Sequence, residues 1–338
     1  MSAPLTVKFI AKGAAHAEPT PWRRQLPDAA PAWGRCRFLF DPEARHYDWL
    51  VVYDDLPARP GERFSTRCET LACPRQQTLL ITAEPSSIKH YSRSFLAQFG
   101  HILTSQEPQQ IDHPNAHFSQ PALRWFYAIG KQHHRSYDQL RQQPPPPKPR
   151  PLATVCSSKR QRHTLHNRRY RFTQQLAQAI PELDHYGHGI RPLDDKAAAI
   201  DPYRYHLAIE NHICRHHWTE KLADPLLGYA LPLYCGCPNL DDYFPREAFI
   251  EIDLFDLEQS RETIRATLRD DPYQQRLPAL IEARRLVLER YNLFAVISRL
   301  MEGHHQPGHK PHGSAEILSR RALIRRHPLA AAYERLLR

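Results

Sequence analysis

Short apolar runs bounded by Pro, Asp or Gly recur along the first half of the chain, at Leu5–Ile10, Cys36–Phe40, Trp49–Tyr53, Thr78–Thr82 and His101–Thr104. Runs this short and this uniformly apolar predict strands covered on both faces, as in a parallel sheet. Helical stretches fit between some of them, as at Ile88–Phe99, and the alternation predicts a mainly parallel α/β sheet. The pattern restarts later. Leu152–Cys156, Tyr205–Ile209, Ala230–Tyr234 and Phe249–Ile252 read as strands, with helices at Arg169–Ile180 and Thr219–Tyr229. Residues 257–300 read as helical throughout, 302–313 as a polar break, and Ser314–Arg338 as a basic helix.

Between the two patterns lies QLRQQPPPPKPRP, residues 139–151. Consecutive prolines join neither a helix nor a central strand and stiffen into polyproline II, so this run is the expected boundary. The expected organisation is an α/β domain over 1–138, a linker over 139–151, a second α/β domain over 152–300 and a basic helical tail over 301–338. A chain of 338 residues has room for two cores.

Composition narrows the partners. Hydrophobic residues at 41% and charged residues at 24% are ordinary for a globular chain, whereas 31 prolines against 12 glycines imply stiff loops. The formal net charge of +10 predicts attraction to anions: phosphorylated ligands, nucleotide sugars, an anionic membrane or nucleic acid. The last is set aside, because no zinc finger or aromatic RNA-binding strand is present. No apolar run has the length of a membrane span, and the N-terminus lacks the apolar core of a signal peptide. Seven cysteines without a disulfide spacing point to free thiols, so a cytoplasmic protein is expected. In the tail, Arg320, Arg321, Arg325 and Arg326 alternate with Ile317, Leu318, Leu323 and Ile324. That pattern suits peripheral contact of 314–338 with the anionic inner membrane face, and equally a helix packed back on the protein.

The densest chemistry lies in YRYHLAIENHICRHHWTEKLADPLLGYALPLYCGCP, residues 203–238. It reads as a strand ending in Glu210-Asn211, a polar loop, a helix opening at Thr219-Glu220-Lys221, and an apolar strand running into Gly236. In an open α/β sheet, ligands lie beyond the carboxyl ends of strands and at the N-termini of the following helices, so these residues face one crevice. Thr219 is a natural N-cap. Lys221 in the first turn opposes the helix dipole, which fits an anionic ligand there, while the residues taken alone fit a plain capped surface helix better. A metal is not expected: His212, Cys214, His216 and His217 lack a second ligand pair, and Cys235 and Cys237 are too close for a redox pair. Asp54-Asp55 is a lone acidic pair, and His304-His305 reads as part of a flexible tail.

The order Ile209-Glu210-Asn211, Thr219-Glu220-Lys221 and Pro232 through Gly236 resembles the C-terminal signature of glycosyltransferase family 10, the α1,3/4-fucosyltransferases. Asp184-His185-Tyr186-Gly187, Lys196, the Arg168-Arg169 pair, and Asp241–Phe249 with the strand after it extend the resemblance, which covers about residues 150–256 well and 78–130 weakly. It implies two facing Rossmann-like domains of the GT-B type with a helical C-terminal tail, GDP-fucose on the second half and a glycan acceptor on the first, with inversion and no metal or other cofactor. The implied donor-binding residues are Arg169, Lys196, Glu210, Asn211, His217, Thr219, Glu220 and Lys221. Arg169 and Lys221 would meet the pyrophosphate. His217 stands where the family often has a tyrosine that helps to hold the donor. Inversion needs one general base. Glu84, in a turn similar to the family's E-S-P-S turn, is favoured, and Glu107, where some bacterial relatives place an acidic residue, is the second candidate.

Overall fold

The apolar runs of the first half form strands close to their predicted bounds. In the computed structural model, which describes residues 3–15, 21–159, 164–308 and 315–336, they are β1 (Leu5–Ile10), β3 (Cys36–Leu39), β4 (Trp49–Tyr53), β6 (Thr78–Ile81) and β7 (His101–Thr104), joined by three short strands that the sequence reading lacked, β2 (Ala32–Trp33), β5 (Cys68–Thr70) and β8 (Ala116–Phe118). All but β5 make one sheet in the order β2-β3-β1-β4-β6-β7-β8, parallel except at β2. Val7, Trp49, Val51, Leu79 and Ile81 are buried on one face, and Leu50, Val52, Leu80 and Ile102 on the other, which is why the runs lack polar alternation.

Lys8 is the exception within that apolar run. It is buried in β1, where its ammonium donates to Glu69 and to the Ala44 carbonyl at 3.0 Å, while Arg67 holds the second Glu69 oxygen at 3.1 Å. The predicted helix over Ile88–Phe99 shrinks to α1 (Arg93–Leu96), capped by Ser92. Upstream of it Tyr91 is buried and its hydroxyl donates to Asp54, a contact that pins Tyr91 outside the helix.

The second unit, Leu123–Asn292, contains α2 (Tyr137–Gln142), β9 (Arg150–Val155), α3 (His166–Ala179), β10 (Leu183–Tyr186), β11 (Tyr203–Ile209), α4 (Glu220–Leu227), β12 (Leu231–Cys235), β13 (Ile250–Glu251), α5 (Leu257–Asp270) and α6 (Tyr273–Arg285). Its five strands are all parallel, in the order β10-β9-β11-β12-β13. The proline run lies inside this unit rather than between units. The Gln143 carbonyl accepts from the Tyr229 hydroxyl at 2.7 Å, and Lys148 donates to the carbonyls of Ile200, Asp201 and Gly228 at 3.0, 3.0 and 2.6 Å. Both flanks of Pro144–Pro147 are thus tied down, and stiffness here serves anchoring. The helical region is also less continuous than its sequence suggests. Asp271 takes a left-handed conformation (φ 42°) before Pro272, a π-helical turn covers Leu286–Arg290, and the chain leaves the unit after Asn292.

Residues from Leu293 onward return to the first unit. Leu293, Phe294, Ile297 and Met301 of α7 (Leu293–His304) join the core containing Phe9, Phe38 and Phe40. The expected single tail helix is instead β14 (Glu316–Leu318), antiparallel to β5, then α8 (Arg320–Arg326) and α9 (Pro328–Leu336); Ser314 lies outside the described residues, as do Leu337 and Arg338. Ile317 is fully buried and explains the strand: an apolar residue that α8 alone would leave at the surface is covered by sheet pairing.

Candidate functional site

In the second unit the strand order reverses beside β9, which has β10 on one side and β11 on the other. Diverging loops open a crevice at such a point, beyond the carboxyl ends of the strands. Thr154, Cys156 and Ile209 line it from the strands, and Arg169, Lys196 and Lys221 bring cations to it.

Glu210 sits at the end of β11 with no solvent exposure. Its Oε1 accepts from the Thr219 backbone N–H at 2.8 Å and its Oε2 from the Thr219 hydroxyl at 2.7 Å. The same hydroxyl caps α4 by accepting from the Lys221 N–H at 3.3 Å, so one threonine joins the strand end to the helix start. Gly236 permits this: a Cβ there would lie 2.5 Å from Glu210 Cγ. The Lys221 ammonium is 3.0 Å from Glu220 and 3.5 Å from Glu210. Burial pushes the Glu210 carboxyl above its ordinary range, although Lys221 opposes that shift. Burial acts on Glu220 in the same sense but is outweighed by Lys221 and Lys196, which hold Glu220 well below the usual carboxylate range. Lys221 is raised, because Glu220 and Glu210 outweigh its burial.

Lys196 is anchored by a residue the sequence reading missed. Asp224, fully buried in α4, accepts from Lys196 at 2.6 Å and from the N–H groups of Phe126 and Tyr127 at 2.8 and 3.0 Å. An aspartate inside the otherwise apolar run LADPLL was the available signal, since an acid on a buried helix face needs partners.

Arg169 differs from the two lysines. It is buried on the first turn of α3, where Nη1 donates to the Ile209 carbonyl at 3.2 Å; among the described residues it forms no ion pair, and its Nε has no hydrogen-bond partner. Asn211 Oδ1, at the end of β11, is likewise buried without a partner among the described residues. His217 is buried and packs edge-on against His212 at 5.6 Å. Trp218 serves the scaffold, packed among Tyr243, Phe244 and Tyr291 with centroids at 5.7, 5.0 and 5.5 Å. The Asp184–Gly187 turn is also structural: Asp184 accepts from Tyr203 at 2.6 Å and pairs with Arg191 at 3.1 Å.

The second unit therefore brings Arg169, Lys196, Glu210, Asn211, Thr219, Glu220 and Lys221 to one strand edge. Glu84 and Glu107 lie in the first unit, each just past a strand end, after β6 and β7 respectively. Buried Gln106 joins their loops by donating to the carbonyls of Glu84 and Lys89 at 2.7 and 2.9 Å. Asp54, next to β4 in a left-handed conformation (φ 73°), is occupied by Lys89 and Tyr91.

A parallel sheet in each unit, the second with cations at its switch point, is the GT-B architecture of glycosyltransferases. A solved α1,3-fucosyltransferase with GDP-fucose has the same fold at TM-score 0.51, with 12% identity over 93% of this chain and 94% of that one. Residues 146–273, all within the second unit, match the model of Glycosyltransferase family 10 (fucosyltransferase) C-term. Among curated proteins, GDP-fucose protein O-fucosyltransferase 3 of Xenopus laevis is 46% identical over 46 residues, 14% of this chain and 10% of the relative. The Bos taurus protein of that name is 32% identical over 117 residues, 30% of this chain and 24% of the relative. The matched segments thus span a quarter or less of those relatives' length.

Proposed function

We propose that the chain transfers fucose from GDP-fucose to a glycan hydroxyl with inversion and without a metal. The observation that carries this reading is Arg169: a buried guanidinium at the sheet's switch point, without a carboxylate partner among the described residues. An uncompensated buried cation is costly and is relieved by an anion brought in from outside. A pyrophosphate is such an anion, and a guanidinium fork suits it. Lys221 adds a second positive charge, while Glu220, kept ionised, accepts from sugar or ribose hydroxyls.

In the reaction the acceptor oxygen forms a bond to the anomeric carbon as the bond from that carbon to the diphosphate breaks. The acceptor proton passes to Glu84, and GDP leaves with the bonding electrons, its new charge met by Arg169 and Lys221. Glu107 is the second candidate for the base. We place the protein in the cytoplasm, a reading supported by seven unpaired cysteines. Among the described residues no helix is long and apolar enough to cross a membrane. Peripheral contact with an anionic membrane would use the exposed Ile324 and Arg325 of α8. The deciding experiment is a thermal-shift panel of GDP, UDP and their sugars, with and without EDTA. Stabilisation by GDP and GDP-fucose that survives EDTA is expected. A response to UDP alone, or one lost with EDTA, would overturn the donor or the metal independence.

A further inference from the structure

Three histidines of the first unit converge at the edge of its sheet opposite the strand ends that precede Glu84 and Glu107. His101 opens β7, His117 lies in β8, and His304 closes α7. His101 Nδ1 is 3.0 Å from His117 Nε2, the His304 ring lies 4.7 and 5.0 Å from the other two rings, and one nitrogen from each imidazole falls within 4.8 Å of the others.

Hydrogen bonds on the far side of the rings decide what these nitrogens offer. His304 Nδ1 bonds the Leu300 carbonyl one turn back at 2.9 Å; a carbonyl only accepts, so Nδ1 carries the proton and Nε2 keeps a lone pair. His101 turns Nδ1 towards His117, so the nitrogen that approaches the cluster is the one within 3.0 Å of His117 Nε2. Backbone carbonyls that fix the tautomer, as at His304, are the usual outer support of metal-ligating histidines. Such clustering is not needed for packing, because a histidine on an apolar strand is more cheaply replaced by Val or Leu.

We propose that His101, His117 and His304 bind a divalent transition-metal ion, for which Zn²⁺ is the probe, through three imidazole nitrogens with solvent as a fourth ligand. Tetrahedral ligation with bonds of about 2.1 Å separates ligand nitrogens by about 3.4 Å, so small side-chain rotations close the set. Three neutral imidazoles without a thiolate or carboxylate suit zinc, copper or nickel rather than magnesium or calcium. The ion would staple the end of α7 to β7 and β8. It is structural and takes no part in transfer, so it is compatible with catalysis that survives EDTA.

The test uses the full chain with any affinity tag removed, stripped with EDTA and dialysed, then titrated with Zn²⁺ by calorimetry, with Co²⁺ absorption as a second readout. One ion per chain, an intense tetrahedral Co²⁺ band and a rise in Tm are expected. His117→Ala and His304→Ala should each weaken binding 10-fold or more; His304 is exposed, so its replacement leaves the fold in place. Wild-type protein that binds no Zn²⁺ would overturn the proposal. So would affinity that is unchanged in both variants, which would assign the ion to other histidines, such as His163, His309 or His312 outside the described residues.

Discussion

Thr219 donates both its backbone N–H and its hydroxyl to the buried carboxylate of Glu210, at 2.8 and 2.7 Å, and so fixes the turn from β11 into α4. Replacing Thr219 with Val keeps the size and removes the hydroxyl from a buried acceptor. The expected loss is about 1–3 kcal/mol of stability by chemical denaturation, with weaker GDP binding, and Thr219→Ser should restore most of both. A Val variant as stable as wild type would show that the hydroxyl does not hold the turn.

Arg169→Lys keeps the charge and loses the planar fork. Donor affinity should fall about 10- to 100-fold by calorimetry with GDP, the scale of a charge-assisted hydrogen bond of about 1.5–3 kcal/mol. Lys221→Met should weaken GDP by a similar factor. Unchanged affinity in both variants would remove the pyrophosphate roles.

Glu84→Gln should cut turnover about 10²- to 10⁴-fold and leave GDP affinity intact, since the proton acceptor is lost and the donor contacts are not. If Glu84→Gln turns over normally and Glu107→Gln does not, the base is Glu107.

The Lys8–Glu69 pair is sealed in the first unit, so removing one partner strands a charge. Glu69→Ala should cost about 3–5 kcal/mol in urea unfolding, and Lys8→Met with Glu69→Leu should recover most of it. A single variant without a measurable loss would contradict the burial.

Acid should expose the role of Glu220. Its folded pKa lies below the unfolded value, so it contributes stability at pH values above the unfolded carboxylate range and loses that contribution as pH falls through and below it. The Tm gap between wild type and Glu220→Gln is therefore expected to narrow from pH 6 towards pH 3; a gap that widens would reverse the assigned shift.

Much of this was legible in the sequence. Buried parallel strands announce themselves as short apolar runs, and Leu5–Ile10, Trp49–Tyr53 and His101–Thr104 matched to the residue. The Glu210–Lys221 cluster was legible because a strand end and the next helix start are near in sequence as well as in space. Asp224 was missed because its partners, Phe126 and Lys196, approach from distant loops. The division of the chain was misread for a related reason: prolines signal stiffness, whereas the anchoring by Lys148 depends on carbonyls far along the chain. His101, His117 and His304 share no sequence spacing at all; only the pairing of β7 with β8 and the return of α7 bring them together.

That return sets an order of events during synthesis. The second unit, 123–292, is complete on the nascent chain while the first still lacks Leu293, Phe294, Ile297 and Met301 for its core and β14 as partner for β5. The N-terminal sheet therefore matures after the second unit, and its strands wait with apolar faces uncovered until Leu293–Leu318 have been made. A stop codon near residue 292 would not trim a tail but would orphan the N-terminal sheet.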